Sequence, residues 1–156
     1  ELARIVDRGI RGSEAIDLEK LCIEAGEKVW MVFIDIHVLD NDGNLVDAAA
    51  LGAIASLLNT RIPNEKYGLT GEDILPIRGT PVAVTTVEIG GNILVDPNLY
   101  EENAAASKLT VISNAAGALN GMQKSGSGGL KVEEIAEMVD IGLEKAKEIR
   151  EKYLVT

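Results

Sequence analysis

Apolar and charged residues alternate with helical spacing over the first eleven residues. The apolar positions fall on one face at about 100° per residue and are Leu2, Ile5, Val6, Gly9 and Ile10. Three arginines recur at i, i+4 and i+7 on roughly the opposite face; they are Arg4, Arg8 and Arg11. The pattern predicts a helix over about 2–11 that packs on a core. The arginine stripe is either a solvated face, with Glu1 and Asp7 as local partners, or an anion-binding surface, and the pattern alone favours the solvated face.

The next 50 residues predict a hairpin and a helix. Residues 18–24 and 28–39 are strand candidates joined by the connection "AGEK". Both faces of the second candidate are mostly apolar, which predicts a central strand covered on each side. The segment "DNDGN" at 40–44 predicts a turn. Residues 45–62 are rich in Ala and Leu with few charges, which predicts a buried helix.

The second half predicts two further hairpins and two helices. Strand candidates at 80–90 and 92–97 flank a Gly-Gly-Asn turn, a short helix follows at 98–107, and residues 108–114 and 118–124 form the third hairpin. After "SGSGG" at 125–129, apolar positions recur with helical spacing over 130–153. The order α-ββ-α-ββ-α-ββ-α indicates an α+β domain with helices against sheet.

The composition narrows the classes of function that the chain can have. The formal net charge is -10, so a wide electrostatic footprint on nucleic acid is not expected, and any contact has to be local or shared with a basic partner. Aromatic residues make up only 3%, which argues against a base-stacking platform. Cys22 is the only cysteine, in an apolar run that predicts a small core residue. No apolar run reaches membrane-spanning length, and a cytoplasmic protein without membrane contact is expected.

Two segments resemble parts of catalytic or phosphate sites only weakly. Asp35 and His37 are two residues apart on one strand face, a spacing that suits a base and its orienting group. No nucleophile is evident beside them, and a buried or half-buried pair with its hydrogen bonds satisfied is favoured. The "SGSGG" segment precedes a helix as phosphate-binding turns do, but it lacks the spacing and lysine of a P-loop. A flexible helix-entry turn is favoured there.

Three carboxylates lie near turns or strand ends: Asp42, Asp47 and Asp96. Phosphoryl transfer needs a second carboxylate close to the first, together with positive or N–H groups on the phosphate. Asp96 precedes Pro97, and a residue before proline at a strand end is usually part of a turn. A metal or acid–base role for Asp96 alone is therefore not favoured.

Five segments together resemble one known family; they are residues 1–11, 15–59, 93–102, 122–129 and 139–150. They are similar to the RNase PH-like subunits of the archaeal exosome, a ring-shaped machine that degrades RNA by phosphorolysis, and most similar to the catalytically silent subunit. The resemblance implies an RNase PH-like fold (ribosomal protein S5 domain 2-like), α+β, with a mixed sheet packed against helices. It also implies that residues 1–156 form one such domain, its C-terminal portion, without the N-terminal strands. The uncapped helical pattern at Glu1 fits that expectation.

The same resemblance implies a chain without catalytic residues, metal or cofactor. Active subunits carry a Gly-Ser/Thr-Arg type phosphate-binding sequence where this chain has "DGNLVDA"; Asn44, Leu45 and Val46 depart from it. Leu and Val offer neither a hydroxyl nor a guanidinium to phosphate. Active subunits also pair two aspartates six residues apart, and this chain has Gly90 six residues before Asp96.

The resemblance favours an anion-binding surface for the arginine stripe, whereas the pattern alone favours a solvated face. In silent subunits, arginines of this helix contact RNA phosphates; Arg4 and Arg8 match them, and Arg11 lies on the same stripe. The implied partners are a catalytic RNase PH-like subunit alternating with this chain in a hexameric ring, RNA-binding cap subunits and the 3′ end of RNA. Two alternatives stay open: an active phosphorolytic 3′–5′ exoribonuclease, as in homohexameric RNase PH, and a purely structural ring scaffold whose arginines face solvent.

Overall fold

The computed structural model describes residues 1–154. Its four helices are α1 (Leu2–Gly12), α2 (Leu45–Leu58), α3 (Leu99–Ala104) and α4 (Val132–Tyr153). Its six strands are β1 (Cys22–Glu24), β2 (Lys28–Val29), β3 (Val82–Ile89), β4 (Asn92–Val95), β5 (Ser107–Ser113) and β6 (Leu119–Ser125). Two short 3-10 helices lie at Leu18–Leu21 and Glu65–Tyr67.

The main sheet has the strand order β4-β3-β5-β6, and helices cover both of its faces. On one face, α1 and α2 pack on the sheet, with Ile5 against Ala83 and Ile112. On the other face, α4 packs across β3 and β5 and buries Met138 against Leu109 and Val111. Because directly paired residues point to the same side of a sheet, the strand register assigns each side chain to the α1–α2 face or to the α4 face.

The predicted element order and fold class are confirmed. The chain follows α-ββ-α-ββ-α-ββ-α, and the apolar face of α1 is buried at Ile5, Val6, Gly9 and Ile10. All strand pairs within residues 1–154 are antiparallel, where the resemblance implies a mixed sheet. The first predicted strand begins instead as a 3-10 helix, and the helix predicted to reach residue 62 ends at Leu58.

The prediction of a central strand over 28–39 is wrong for the part of the chain that the structure describes. Only Lys28 and Val29 pair with another strand. Beyond them, three side chains pack on the core while most of their neighbours, including Phe33 at 76% exposure, are exposed; the packed ones are Trp30, Val32 and Ile36. The two-sided apolar pattern predicts cover on both sides of the segment, whereas residues 1–154 cover only one side.

The prediction that Cys22 is a core residue is also wrong. Cys22 is exposed, because β1 and β2 form a separate two-stranded sheet in which every residue is exposed. The apolar neighbour that does reach the core is Leu21, at 4% exposure. Neighbouring apolar residues point in different directions, so an apolar run alone does not say which one is buried.

Candidate nucleic-acid interface

The arginine stripe lies on the outer face of α1, as its spacing predicts. Arg4 donates to Glu1 at 2.5 Å, and Arg11 donates through Nε to Asp7 Oδ1 at 2.6 Å. Both arginine side chains are mostly exposed, at 62% and 80%. These are the local partners that the solvated-face interpretation expects. Exposed pairs of this kind contribute little to stability and are readily exchanged for another anion.

Arg8 is held differently from its two neighbours. Its Nη1 donates to Gln123 Oε1 on β6 at 3.2 Å, across 115 residues of sequence. Among residues 1–154, Arg8 forms no ion pair, because its partner is a neutral amide. The charge of Arg8 is therefore not balanced by a carboxylate at ion-pair distance, as the charges of Arg4 and Arg11 are, although Glu1 lies near enough to interact with it. No sequence signal links Arg8 to Gln123, since only the fold brings α1 beside β6.

A second cluster of polar side chains joins the start of α2 to the sheet. Asn44 Nδ2 donates to both Asp47 Oδ2, at 2.9 Å, and Asp96 Oδ1, at 2.7 Å. Thr85 donates to the same carboxylate of Asp47 twice, from its backbone N at 2.6 Å and from Oγ1 at 2.7 Å. Two of the three carboxylates singled out from the sequence thus meet here through one amide group. Asp42, the third, is exposed in the turn before them.

The electrostatics of this cluster oppose the binding of an anion. Burial raises the pKa of Asp47 to about 6, the hydrogen bonds from Asn44 and Thr85 lower it, and the negative charge of Asp96 raises it further. Neither Asp47 nor Asp96 has a cationic partner among residues 1–154. A phosphate at this place would face two carboxylates, and neither Leu45 nor Val46 has a side chain that could bind it.

The residue six positions before Asp96 does not decide whether this chain has a catalytic pair of carboxylates. Gly90 lies in the hairpin turn between β3 and β4, and Asp96 directly follows β4. At about 3.3 Å per strand residue, the two positions are separated by well over 10 Å. A carboxylate at position 90 would therefore not work beside Asp96.

The acidic residues that follow Asp96 have structural partners. Glu101 Oε2 accepts from the backbone N of Asn98 and caps α3. Glu102 forms an ion pair with Lys108 at 2.9 Å. Neither carboxylate is left to act as a second acidic group for Asp96.

The remaining sequence candidates do not assemble into sites within residues 1–154. The expectation of a buried or half-buried pair is wrong: Asp35 and His37 are both exposed on the extended segment that faces α2 across an open groove. In the "SGSGG" turn, the carbonyl of Gly128 accepts from Ser107 Oγ at 2.6 Å, and the amide of Gly128 donates to Ala106. At the start of α4, the carboxylate of Glu134 accepts from the backbone N of Lys131 at 2.7 Å, and this negative charge disfavours an anion there.

Residues 1–154 contain neither a candidate metal site nor a candidate membrane-spanning helix. No group of three or more His, Cys, Asp and Glu side chains is arranged to hold a metal ion. None of the helices in this part of the chain is long and apolar enough to cross a membrane.

With the fold and these sites described, the chain can be compared with known families. The family model described as "3' exoribonuclease family, domain 1" matches residues 1–63. The model described as "3' exoribonuclease family, domain 2" matches residues 79–145. Together these cover most of the chain, which therefore belongs to this RNase PH family. One hydrophobic core contains side chains from both matched segments, such as Ile54 and Val82.

The relatives are components of exosome complexes. The chain is 61% identical over 153 residues to "Exosome complex component Rrp42" of Methanocella arvoryzae and 52% identical over 155 residues to the protein of that name from Methanosarcina acetivorans. The matches cover 97% and 99% of this chain but 58% of each relative. The chain therefore spans a little over half the length of the relatives that it matches.

Two solved structures share its fold closely. One is described as the Archaeoglobus fulgidus exosome with RNA bound to the active site, with a TM-score of 0.93 and 49% identity over 98% of this chain and 60% of the other. The other is described as an archaeal exosome core, with a TM-score of 0.93 and 48% identity over 99% and 63%. The resemblance read from the sequence is confirmed.

Proposed function

We propose that this chain acts as the non-catalytic subunit of an archaeal-type exosome ring in the cytoplasm. In this role it alternates with a catalytic RNase PH-like subunit, structures the active site of that partner, meets RNA-binding cap subunits and contacts the RNA 3′ end through Arg4, Arg8 and Arg11. The family match and the relatives support the ring. The neutral partner of Arg8, which forms no ion pair within residues 1–154, is the observation that carries the RNA contact, because a guanidinium not already paired with a carboxylate binds phosphate most readily.

The absence of catalysis by this chain is part of the proposal. It is supported by the start of α2, where the side-chain amide of Asn44 donates to the carboxylates of both Asp47 and Asp96. Phosphorolysis needs groups that grip an attacking phosphate. Here the side-chain donors of Asn44 and Thr85 are used in hydrogen bonds to Asp47 and Asp96, and the charges of the cluster are negative, so an attacking phosphate finds no partner.

One observation favours a second candidate function, the purely structural scaffold. Arg4 and Arg11 are each paired with a carboxylate of their own helix, as arginines with no further ligand would be. The two candidates differ in what happens to RNA affinity when the stripe is removed. They do not differ in ring assembly.

The experiment is RNA binding by the assembled ring with single arginine substitutions. We expect Arg8→Ala to weaken binding of a single-stranded oligoadenylate about tenfold and Arg4→Ala about threefold, since Arg4 first has to leave Glu1. Arg11→Ala should have a smaller effect, because Asp7 competes for its guanidinium. The measurement is fluorescence anisotropy at several salt concentrations.

Lys147→Ala is the matched control, since it removes one exposed positive charge on α4 and leaves α1 intact. It should leave affinity and its salt dependence unchanged. Equal affinity of the wild type and the Arg4→Ala and Arg8→Ala variants would leave the scaffold function in place of ours.

A further inference from the structure

Two residues of strand β6 lie next to the side chain of Arg8. Gly121 lies directly below the side chain: a Cβ at this glycine would be 3.7 Å from Arg8 Cδ, in van der Waals contact with the aliphatic part of the arginine. Gln123, two residues further, is on the same face of the strand and accepts a hydrogen bond from the guanidinium at 3.2 Å. The aliphatic part of Arg8 therefore lies beside Gly121, and its guanidinium is bound by Gln123.

The register of the sheet explains why Gln123 points toward α1. Gln123 pairs with Thr110 of β5, and Thr110 pairs with Thr85 of β3. Thr85 contacts Asp47 of α2, so this row of side chains lies on the α1–α2 face. The position of Gln123 is therefore fixed by backbone pairing rather than by a flexible loop.

The choice of an amide at this position has an electrostatic consequence. An acceptor with a full negative charge would hold Arg8 more tightly but would cancel its charge, as Glu1 and Asp7 do for Arg4 and Arg11. An apolar residue would leave the long side chain free and raise the entropy cost of ordering it on a ligand. A neutral acceptor orients the guanidinium and leaves its other N–H donors for a phosphate.

We propose that Gln123 is a positioning residue for RNA: through its hydrogen bond it presents the guanidinium of Arg8 to a phosphate of the RNA backbone. This inference rests on the proposed function, because it assumes that Arg8 contacts RNA. It adds a residue of the second half of the chain to an interface otherwise built on α1.

The test is a double-mutant cycle on the assembled ring, with single-stranded oligoadenylate as the probe. Gln123→Met keeps the length of the side chain and removes the acceptor; we expect it to weaken binding about threefold to fivefold when Arg8 is present. In the Arg8→Ala background the same change should have no effect. Gln123→Glu should weaken binding further and lower the slope of log affinity against log salt by about 0.7.

Met122→Leu is the control, because Met122 is the neighbouring exposed residue on the opposite face of β6. It should leave affinity unchanged. Thermal unfolding of each variant confirms that the strand is intact.

The outcomes separate this inference from the proposed function. If Arg8→Ala does not weaken binding, both the function and the role of Gln123 are overturned. If Arg8→Ala weakens binding and Gln123→Met does not, only the positioning role fails. If Gln123→Met weakens binding equally with and without Arg8, Gln123 does not act through Arg8, and the positioning role is again overturned.

Discussion

At the scale of single residues, Asn44 and Asp47 show how this chain uses positions that could have bound a ligand. Asn44 adopts a left-handed backbone conformation, with φ of 48°, which asparagine tolerates better than most residues. In that conformation its amide reaches the carboxylates of Asp47 and Asp96 together. Two carboxylates are thereby held close without a cation; burial, and to a smaller extent the charge of Asp96, raises the pKa of Asp47.

The raised pKa makes a prediction about stability against pH. Asp47 has a pKa of about 6 in the folded chain against an ordinary value of 3.8, so the folded state binds its proton more tightly. The stability contributed by this proton is complete below pH 3.8 and is lost as the pH rises through about 6. Allowing for partial solvent screening, the loss is about 2 kcal/mol.

Asp47→Asn removes the titration and can keep the hydrogen bonds to Thr85 and Asn44, since an amide offers an oxygen and a donor in the same places. We expect the free energy of unfolding of the wild type, relative to this variant, to fall as the pH rises from 4 to about 7.5. Urea unfolding at four pH values measures the difference. A difference that stays constant over this range would show that the charge of Asp47 costs nothing in the fold.

At the scale of elements, the position of α2 depends on a close backbone contact before its first turn. Gly43 has φ of 97°, and a Cβ there would lie 2.5 Å from the carbonyl carbon of Asn98. Next to it, the backbone N of Leu99 donates to the carbonyl of Asp42 at 2.9 Å. The turn before α2 is therefore packed directly on the turn before α3, with no room for a side chain.

Two glycine substitutions test this packing. Gly43→Ala should destabilise the chain by more than about 3 kcal/mol, because it combines a strained φ with a backbone clash. Gly52→Ala, inside α2 with no atom within 4 Å of the new Cβ, should stabilise it by about 1 kcal/mol. Urea unfolding of both variants checks the signs, and a Gly43→Ala variant as stable as the wild type would contradict the contact.

Elements with regular hydrophobic spacing or clear turn residues could be predicted from the sequence. An element whose structure depends on what packs against it could not. The helices α1 and α4 and the hairpins around Gly90 and Gly117 follow local spacing and turn residues, and the structure has them within a few residues. The segment 28–39 has an equally clear alternation, but its state depends on what covers it.

The candidate site divides in the same way. The arginine stripe follows from the helical period, so Arg4, Arg8 and Arg11 could be placed on one face in advance. Which of the three has a neutral partner instead of a carboxylate could not be predicted, because the answer depends on Gln123, which is 115 residues from Arg8. The joining of Asp47 to Asp96 through Asn44 likewise requires the fold.

At the scale of the whole molecule, an acidic chain and an RNA-contacting surface are compatible because the charge is unevenly placed. The formal net charge is -10, but salt screens exposed charges beyond about 10 Å. A phosphate near α1 therefore responds mainly to Arg8 and its immediate neighbours. The acidic remainder of the surface disfavours nonspecific binding elsewhere, so the proposed RNA contact requires only the local charge of the stripe.

The central claim is that this chain holds RNA but does not cleave it. The most direct measurement is the release of nucleoside diphosphates from RNA and inorganic phosphate by the chain alone, by the catalytic partner with the chain, and by the same pair carrying Arg8→Ala. We predict no release by the chain alone, release by the pair, and slower release at limiting RNA with the variant. Nucleoside diphosphate release by the purified chain alone would contradict the account.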